Sequence, residues 1–290
     1  NLLELTPEET LHAIGIAGTQ SSGLMAAQFG AMVKRMHAGK SAHSGLLAAL
    51  LAREGFTGIV NVFEAPYGGF CSTFSRSQDR FDLDQLIAGL GEEYQLMNIA
   101  LKFYSCVGSN HTTLDAIKDI QKRHPFSKSD FKEIRVFGSQ VTVDHVGWDY
   151  RPEGLTSAQL NLPFCVATLL IEGDVFVKQF TTDCVADPER IELSRKIKVF
   201  HDPDITKRGA GYRHMVRVEV EFEDGDVESE TREYPRGSEY DFASDEEIIR
   251  KFKTLAKSSL SAKSADKIVD MILNVEALDS MKMLLTEMSG

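Results

Sequence analysis

Residues 216–222 constrain the fold more than any other stretch. Val216, Val218, Val220 and Phe222 alternate with polar residues, a period of two that suits a strand with one buried face. Glu223-Asp224-Gly225-Asp226 follows. Asp-Gly is the strongest short hairpin signal, because a primed turn needs residues that tolerate positive φ. Val227 to Tyr234 is then the antiparallel partner. Two earlier segments also read as strands. Phe131 to Val143, with Ile134 and Val136, and Lys196 to Phe200 have the right character.

The flanks read as helix. Thr6-Pro7-Glu8-Glu9 is a helix start: Thr as N-cap, Pro in the first turn and Glu9 closing a capping box. Leu11, Ile14, Ile16 and Ala17 are expected to bury one face. Small residues crowd Gly15 to Ala31 (Gly18, Ser21, Ser22, Gly23, Ala26, Ala27, Gly30), which places this segment deep in a helix bundle. A second helix starts near Ser41, carries Leu46, Leu47, Leu50 and Leu51, and stops at Gly55. Gly58 to Phe63 is short and apolar, Tyr67 to Phe70 a loop, and Asp82 to Leu90 a short helix. Ile99 to Tyr104 suits a strand or its end. His111 to Arg123 is amphipathic, with Leu114, Ile117 and Ile120 on one face. Ala158 to Leu170 is a buried helix that Pro163 starts or kinks. Ser244-Asp245-Glu246-Glu247 caps another helix, and apolar positions then recur at helical spacing to Ile272. The fold class is mixed: an all-α helical domain from residues 1–92 and 236–290, with an α+β lid domain, residues 93–235, inserted in it.

Composition narrows the function. A net charge of -11 over 290 residues leaves no basic surplus for general nucleic-acid binding. An anionic substrate must then be held by a local basic pocket. No apolar run reaches membrane-spanning length, and the expected location is the cytoplasm, or the mitochondrion if a preceding segment carries a transit peptide. Cys71, Cys106, Cys165 and Cys184 are widely spaced without a CxxC pair, so a zinc site of ordinary spacing is not expected and the thiols suit a reducing compartment. The first residue is Asn, so the chain is expected to begin inside a longer protein.

Two segments have the chemistry of a site. In Val33 to Gly45, three cationic side chains (Lys34, Arg35, Lys40), His37, His43 and two glycines lie between apolar runs. Lys34, His37 and a turn at Gly39 suit one wall of an anion site; the same residues also suit a basic surface turn between helices. In the second segment Lys102, Tyr104 and Gly108 precede His111, which opens a helix. Free N–H groups at a helix start and a nearby ammonium favour a carboxylate, and a histidine can exchange a proton; a strand-edge lysine and a capping histidine would look alike. His43 falls six residues after His37, not the four that share a helix face for a metal. Gly209-Ala210-Gly211 reads as a loop, and Trp148 to Arg151 as a pocket border or packed edge. His12, His124, His145, His201 and His214 have no supporting pattern. There is no Gly-x-Ser-x-Gly elbow or Walker loop.

These segments carry a resemblance. Lys34-Arg-Met-His37-Ala-Gly39, the Ala-His-Ser-Gly45 that follows, Gly55-Phe-Thr-Gly58, Lys102-x-Tyr104, His111 and Asp115-Ala116 resemble the MmgE/PrpD family. That family includes 2-methylcitrate dehydratase, cis-aconitate decarboxylase and iminodisuccinate epimerase. The resemblance implies a homodimeric lyase without metal or other cofactor, acting on a small di- or tricarboxylate between a helical domain and a lid. It makes Lys34, His37, Lys102 and His111 catalytic, and has Lys34, Lys102, Tyr104 and Phe164 bind substrate. Dehydration of a 2-methylcitrate-like hydroxy acid is the first expectation. Decarboxylation of cis-aconitate, epimerisation of an imino acid and a non-catalytic carboxylate-binding or dimerisation role are the alternatives. Family members commonly carry Ser and Tyr where this chain has Asn161 and Phe164, which weighs mildly against the decarboxylase. The resemblance also implies that an N-terminal part of the helical domain precedes residue 1.

Overall fold

The computed structural model describes residues 3–21, 23–28, 31–75 and 80–289. The chain forms two compact units, Asn1–Gln95 with Arg151–Ala158, and Leu96–Tyr150 with Gln159–Gly290. Residues 236–290, assigned from sequence to the helical domain, thus fall in the same unit as the sheet.

In the first unit, α1 (Pro7–Gly18) opens on a reciprocal capping box: the Glu9 carboxylate accepts the Thr6 N–H at 2.7 Å, and Thr6 Oγ1 accepts the Glu9 N–H at 3.2 Å. The buried face is Ala13, Gly15 and Ile16. Leu11 and Ile14, expected inside, are 41% and 42% exposed, since the contact is made by small residues and not by the bulky ones. α2 spans His37–Arg53 and packs on α1 through Ala48 and Ala52 against Ala13 and Ile16. It starts before Ser41, and Gly39 lies inside it rather than in a turn, because the Gly39 position faces open space and tolerates a helix. The end is a Schellman motif: Phe56 N–H donates to Leu51 O and Gly55 N–H to Ala52 O, with Gly55 at φ +85°.

Among the described residues of 19–31 no buried helix continues. Short 3₁₀ turns at Met25–Gln28 and Met32–Met36 stand there instead, as expected where glycine and serine lower helix propensity. Ser22 and Gly30 lie outside the described residues. The segment at residues 58–59 crosses directly over α1. A Cβ on Gly15 would lie 2.2 Å from Ile59 O, and one on Gly58 2.2 Å from His12 O. The Gly58 N–H donates to His12 Nδ1 at 3.2 Å. α3 (Phe70–Ser75) follows, and the helix expected over 82–90 shrinks to a 3₁₀ turn at Leu83–Leu86 capped by Asp82.

The second unit holds α4 (His111–Arg123), β1 (Phe131–Gly138), α5 (Gln140–Val146) and α6 (Leu155–Leu160), whose first four residues count with the first unit. Next come α7 (Leu162–Glu172), α8 (Thr182–Val185), α9 (Pro188–Ser194), β2 (Ile197–His201) and α10 (Pro203–Lys207). β3 (Val216–Phe222), β4 (Val227–Arg232), α11 (Asp245–Ala256), α12 (Ala262–Leu273) and α13 (Met281–Met288) complete the unit. The sheet runs β2-β1-β3-β4, with β1 parallel to β2 and the other pairs antiparallel. The expected hairpin is in place, with Gly225 at φ +93°. β3 buries every second residue, Val216 to Phe222. α4 covers β3 and β4 with Leu114, Ile117 and Ile120, and α7 lies against α4, α9 and β2.

Two expected elements are cut short. The strand expected to Val143 stops at Gly138, where Ser139 Oγ accepts the Thr142 N–H and starts α5. The helix expected over 158–170 is divided at Asn161, whose Oδ1 caps α7 by accepting the Phe164 N–H at 2.8 Å; Pro163 sits in the first turn, where its missing N–H costs nothing. Ser244 and Glu247 cap α11 reciprocally. Arg236 binds Asp241 and Glu247, tying the start of α11 to the end of the sheet. Among the described residues no helix is long and apolar enough to cross a membrane.

Candidate functional site

Residues 99–104, expected as a strand, pair with no strand. The run bends at residues 103–106 and is tied to separate segments: Leu101 N–H to Gly237 O at 2.8 Å, Ser105 N–H to Val175 O at 2.9 Å, and Val107 N–H to Gln159 O, in α6, at 2.9 Å. Gly237, at φ +90°, permits the first contact, since a Cβ there would lie 2.5 Å from Leu101 O. Lys102 is exposed, whereas Tyr104 and Cys106 are buried.

Tyr104 is fastened. Its hydroxyl donates to Asp115 Oδ1 at 2.7 Å, and the other Asp115 oxygen accepts the Arg236 backbone N–H at 2.9 Å. Burial, and then the Asp115 charge, raise the Tyr104 pKa far above the ordinary phenol value. The hydroxyl therefore stays protonated and acts as a fixed donor. The Lys118 ammonium sits 4.8 Å over the ring. An edge of His111 meets the ring at 5.1 Å between centroids.

His111 is the first residue of α4, after a 3₁₀ turn at Gly108–Asn110. It is 2% exposed, and its Nε2 has no hydrogen-bond partner among the described residues. Asp115 stands four residues on, on the same helix face. The start of α7 lies alongside: Asn110 Nδ2 donates to Cys165 Sγ at 3.3 Å. The positive ends of two helices thus adjoin. Burial opposes ionisation of the Cys106 thiol, but hydrogen bonds from Cys165 and His111, with the charges of His111 and Lys102, outweigh it and draw its pKa below the ordinary value. Burial instead pushes the Cys165 thiol up. His214 is held neutral, at a pKa of about 4, by burial and by the neighbouring Arg213, His111 and His145. Its carbonyl accepts the Thr112 hydroxyl at 2.5 Å.

Of the residues picked from sequence, the structure thus brings Tyr104 and His111 into contact. Phe164 is fully buried on α7 against Tyr150, 4.4 Å between ring centroids, and Phe180. In the first unit, Lys34 lies in the 3₁₀ turn before α2 and His37 is the first residue of that helix; both are half-buried. A Cβ on Gly23 would lie 3.5 Å from His37 Nδ1, so the preceding loop passes close to that ring. Sequence reasoning missed Asn110, Cys106, Cys165 and His214 as neighbours of His111. Only Asp115 had a usable signal, its spacing of four from His111. Among the described residues no group of His, Cys, Asp and Glu side chains is arranged to hold a metal ion.

Comparisons with known proteins place this arrangement in a family. Residues 1–82 match the MmgE/PrpD N-terminal domain and residues 104–277 the MmgE/PrpD C-terminal domain. The chain is 34% identical over 301 residues to the cis-aconitate decarboxylase-like protein oryM of Aspergillus oryzae, covering 100% of this chain and 61% of that protein. It is 33% identical to a cis-aconitate decarboxylase of Aspergillus terreus, over 98% of this chain and 60% of the relative. It is 22% identical to the cis-aconitate decarboxylase of Homo sapiens, over 99% and 59%. The chain therefore spans about three-fifths of the length of these relatives. With both of the family's domains matched along it, the chain belongs to the MmgE/PrpD family.

Proposed function

We infer that this chain is part of a lyase that removes carbon dioxide from a small tricarboxylate of the cis-aconitate type. Dehydration, the first expectation from sequence, gives way to the decarboxylase alternative, because the similar proteins named above are the cis-aconitate decarboxylases of Aspergillus terreus and Homo sapiens and a cis-aconitate decarboxylase-like protein of Aspergillus oryzae. The observation that carries a lyase site in this chain is the buried, unpartnered His111 Nε2 at the adjoining starts of α4 and α7, with Lys102 beside it in sequence and free to reach an anion.

Loss of carbon dioxide leaves an electron pair on carbon, which spreads through the double bond toward a remaining carboxylate. Ammonium groups stabilise that charge where water is excluded. In this reading Lys102 holds a carboxylate and His111 supplies the proton that quenches the carbanion; for Lys34 and His37, in the first unit, the family resemblance alone suggests a part in substrate binding. Tyr104 positions His111, since its own hydroxyl is committed to Asp115. Phe164 has no proton to give, so the proton source must be another group.

The test is carbon dioxide release from cis-aconitate by the full-length protein, beside loss of water from 2-methylcitrate. The expected result is turnover of the first, with Lys102→Ala and His111→Ala each lowering kcat/KM by about 100-fold or more and melting as wild type. Turnover of 2-methylcitrate alone would restore the dehydratase. Phe164 favours a second reading, a member that binds carboxylates without turning them over. Calorimetric binding of cis-aconitate with no product from an intact chain would establish it.

A further inference from the structure

A cavity of about 640 Å³ in the second unit lies apart from Lys102 and His111, neither of which lines it. Its floor is α4 and the Tyr104 segment, and its far wall is α11. Most of its carboxylates are already neutralised. Asp119 pairs with Arg232 and Lys122, Asp241 with Arg232 and Arg236, and Glu247 with Arg236. Asp115 is occupied by the Tyr104 hydroxyl and the Arg236 N–H. Three cations in the lining are not used this way. Lys118 touches only the Tyr104 ring face, and Lys118, Arg250 and Lys251 have no ion-pair partner within 4.0 Å among the described residues. Phe103 and Phe176 add apolar wall. In a chain of net charge -11, six cations facing five carboxylates in one concavity is a local reversal of sign.

We propose that this cavity binds a small multiply charged anion with a flat apolar part, its charge on Lys118, Arg250 and Lys251 and its body against Phe103 and Phe176. The volume suits a ligand of nucleotide size. Phosphate and carboxylate satisfy the same three donors, so the ligand's source is left to experiment. The proposal does not rest on the lyase reading. The ligand sits on Lys118, two turns along α4 from His111, and against the ring that touches His111, so occupancy is in a position to bias that histidine.

The experiment is calorimetric titration of the whole chain with AMP and, separately, with cis-aconitate, at low salt. One of the two is expected to bind with one-site stoichiometry and to weaken about tenfold in an Arg250→Gln/Lys251→Gln variant. Arg250 is exposed and has no ion pair within 4.0 Å among the described residues, its charge acting only at longer range on Glu246 one turn back; Arg250→Gln is therefore expected to melt close to wild type and to weaken binding about threefold. Whichever anion binds the cavity is expected to keep binding in Lys102→Ala, since Lys102 does not line it. For cis-aconitate, the cavity's share is what remains in that variant. The proposal is overturned if neither anion binds at millimolar concentration, if the double variant binds as wild type, or if Lys102→Ala removes all binding of both.

Discussion

Asp115 takes the Tyr104 hydroxyl on one oxygen and a backbone N–H on the other, inside the second unit. Removing it strands two buried donors. Asp115→Ala should lower unfolding free energy by about 2–4 kcal/mol, read by urea denaturation, since each lost buried partner costs about 1–3 kcal/mol. Tyr104→Phe should cost less, about 1 kcal/mol, because Asp115 keeps its N–H donor. His214 gives a pH signature. Its folded pKa of about 4 lies below the ordinary 6.5, so folding favours the neutral ring. Its contribution is complete above about pH 6.5 and is lost as pH falls through about 4. Glu247, held at about 2 by Arg236 and the Ser244 N–H against an ordinary 4.5, loses its contribution in a lower window, between those two values. Urea midpoints measured from pH 7 to pH 3 should therefore fall first through the histidine step, and His214→Gln should flatten that part of the profile.

Among the elements, the beginnings of α4 and α7 adjoin, and that of α7 rests on a side chain of modest size. Asn161 both caps α7 and donates to Trp148 O at 2.5 Å. Asn161→Ala should destabilise the protein by about 1–2 kcal/mol in the same assay. The crossing at Gly15 and Gly58 is stricter. Gly58→Ala must push a methyl group into the backbone of α1, and a melting temperature within 1 °C of wild type would sink that account. Local patterns made much of this readable in advance. The capping box at Thr6, the Asp-Gly hairpin and the amphipathic α4 depend on near neighbours, so their residues announce them. The run at 99–107 depends on partners at Gly237, Val175 and Gln159, and nothing within it reveals them. α2 was read too short because Gly39 looks like a breaker and only its open surroundings make it harmless. Lys102, Tyr104 and His111 were legible because a cation, a ring and a helix-opening histidine sit within ten residues. Cys165 and His214, more than fifty residues from His111 in sequence, could be joined to it only by the fold.

For the molecule as a whole, the two units carry cores of different weight. The first rests on Ala13, Ile16, Ala48 and Ala52, while Leu46 and Leu50 of α2 remain 58% and 36% exposed. The second buries whole rows of Val, Ile and Phe along β1, β3 and α7. Hydrogen exchange should show amides of α1 and α2 opening well before those of β1, β3 and α7. Equal protection would mean that the first unit gains stability from contacts beyond its own core. The exposed leucines of α2 also suit a homodimer, testable by light scattering of Leu46→Glu beside wild type. The inward turn of Tyr104 carries a lasting consequence. Because the ring is moored to Asp115 two positions from the exposed Lys102, the charge at residue 102 can be altered while the frame beneath it stays still.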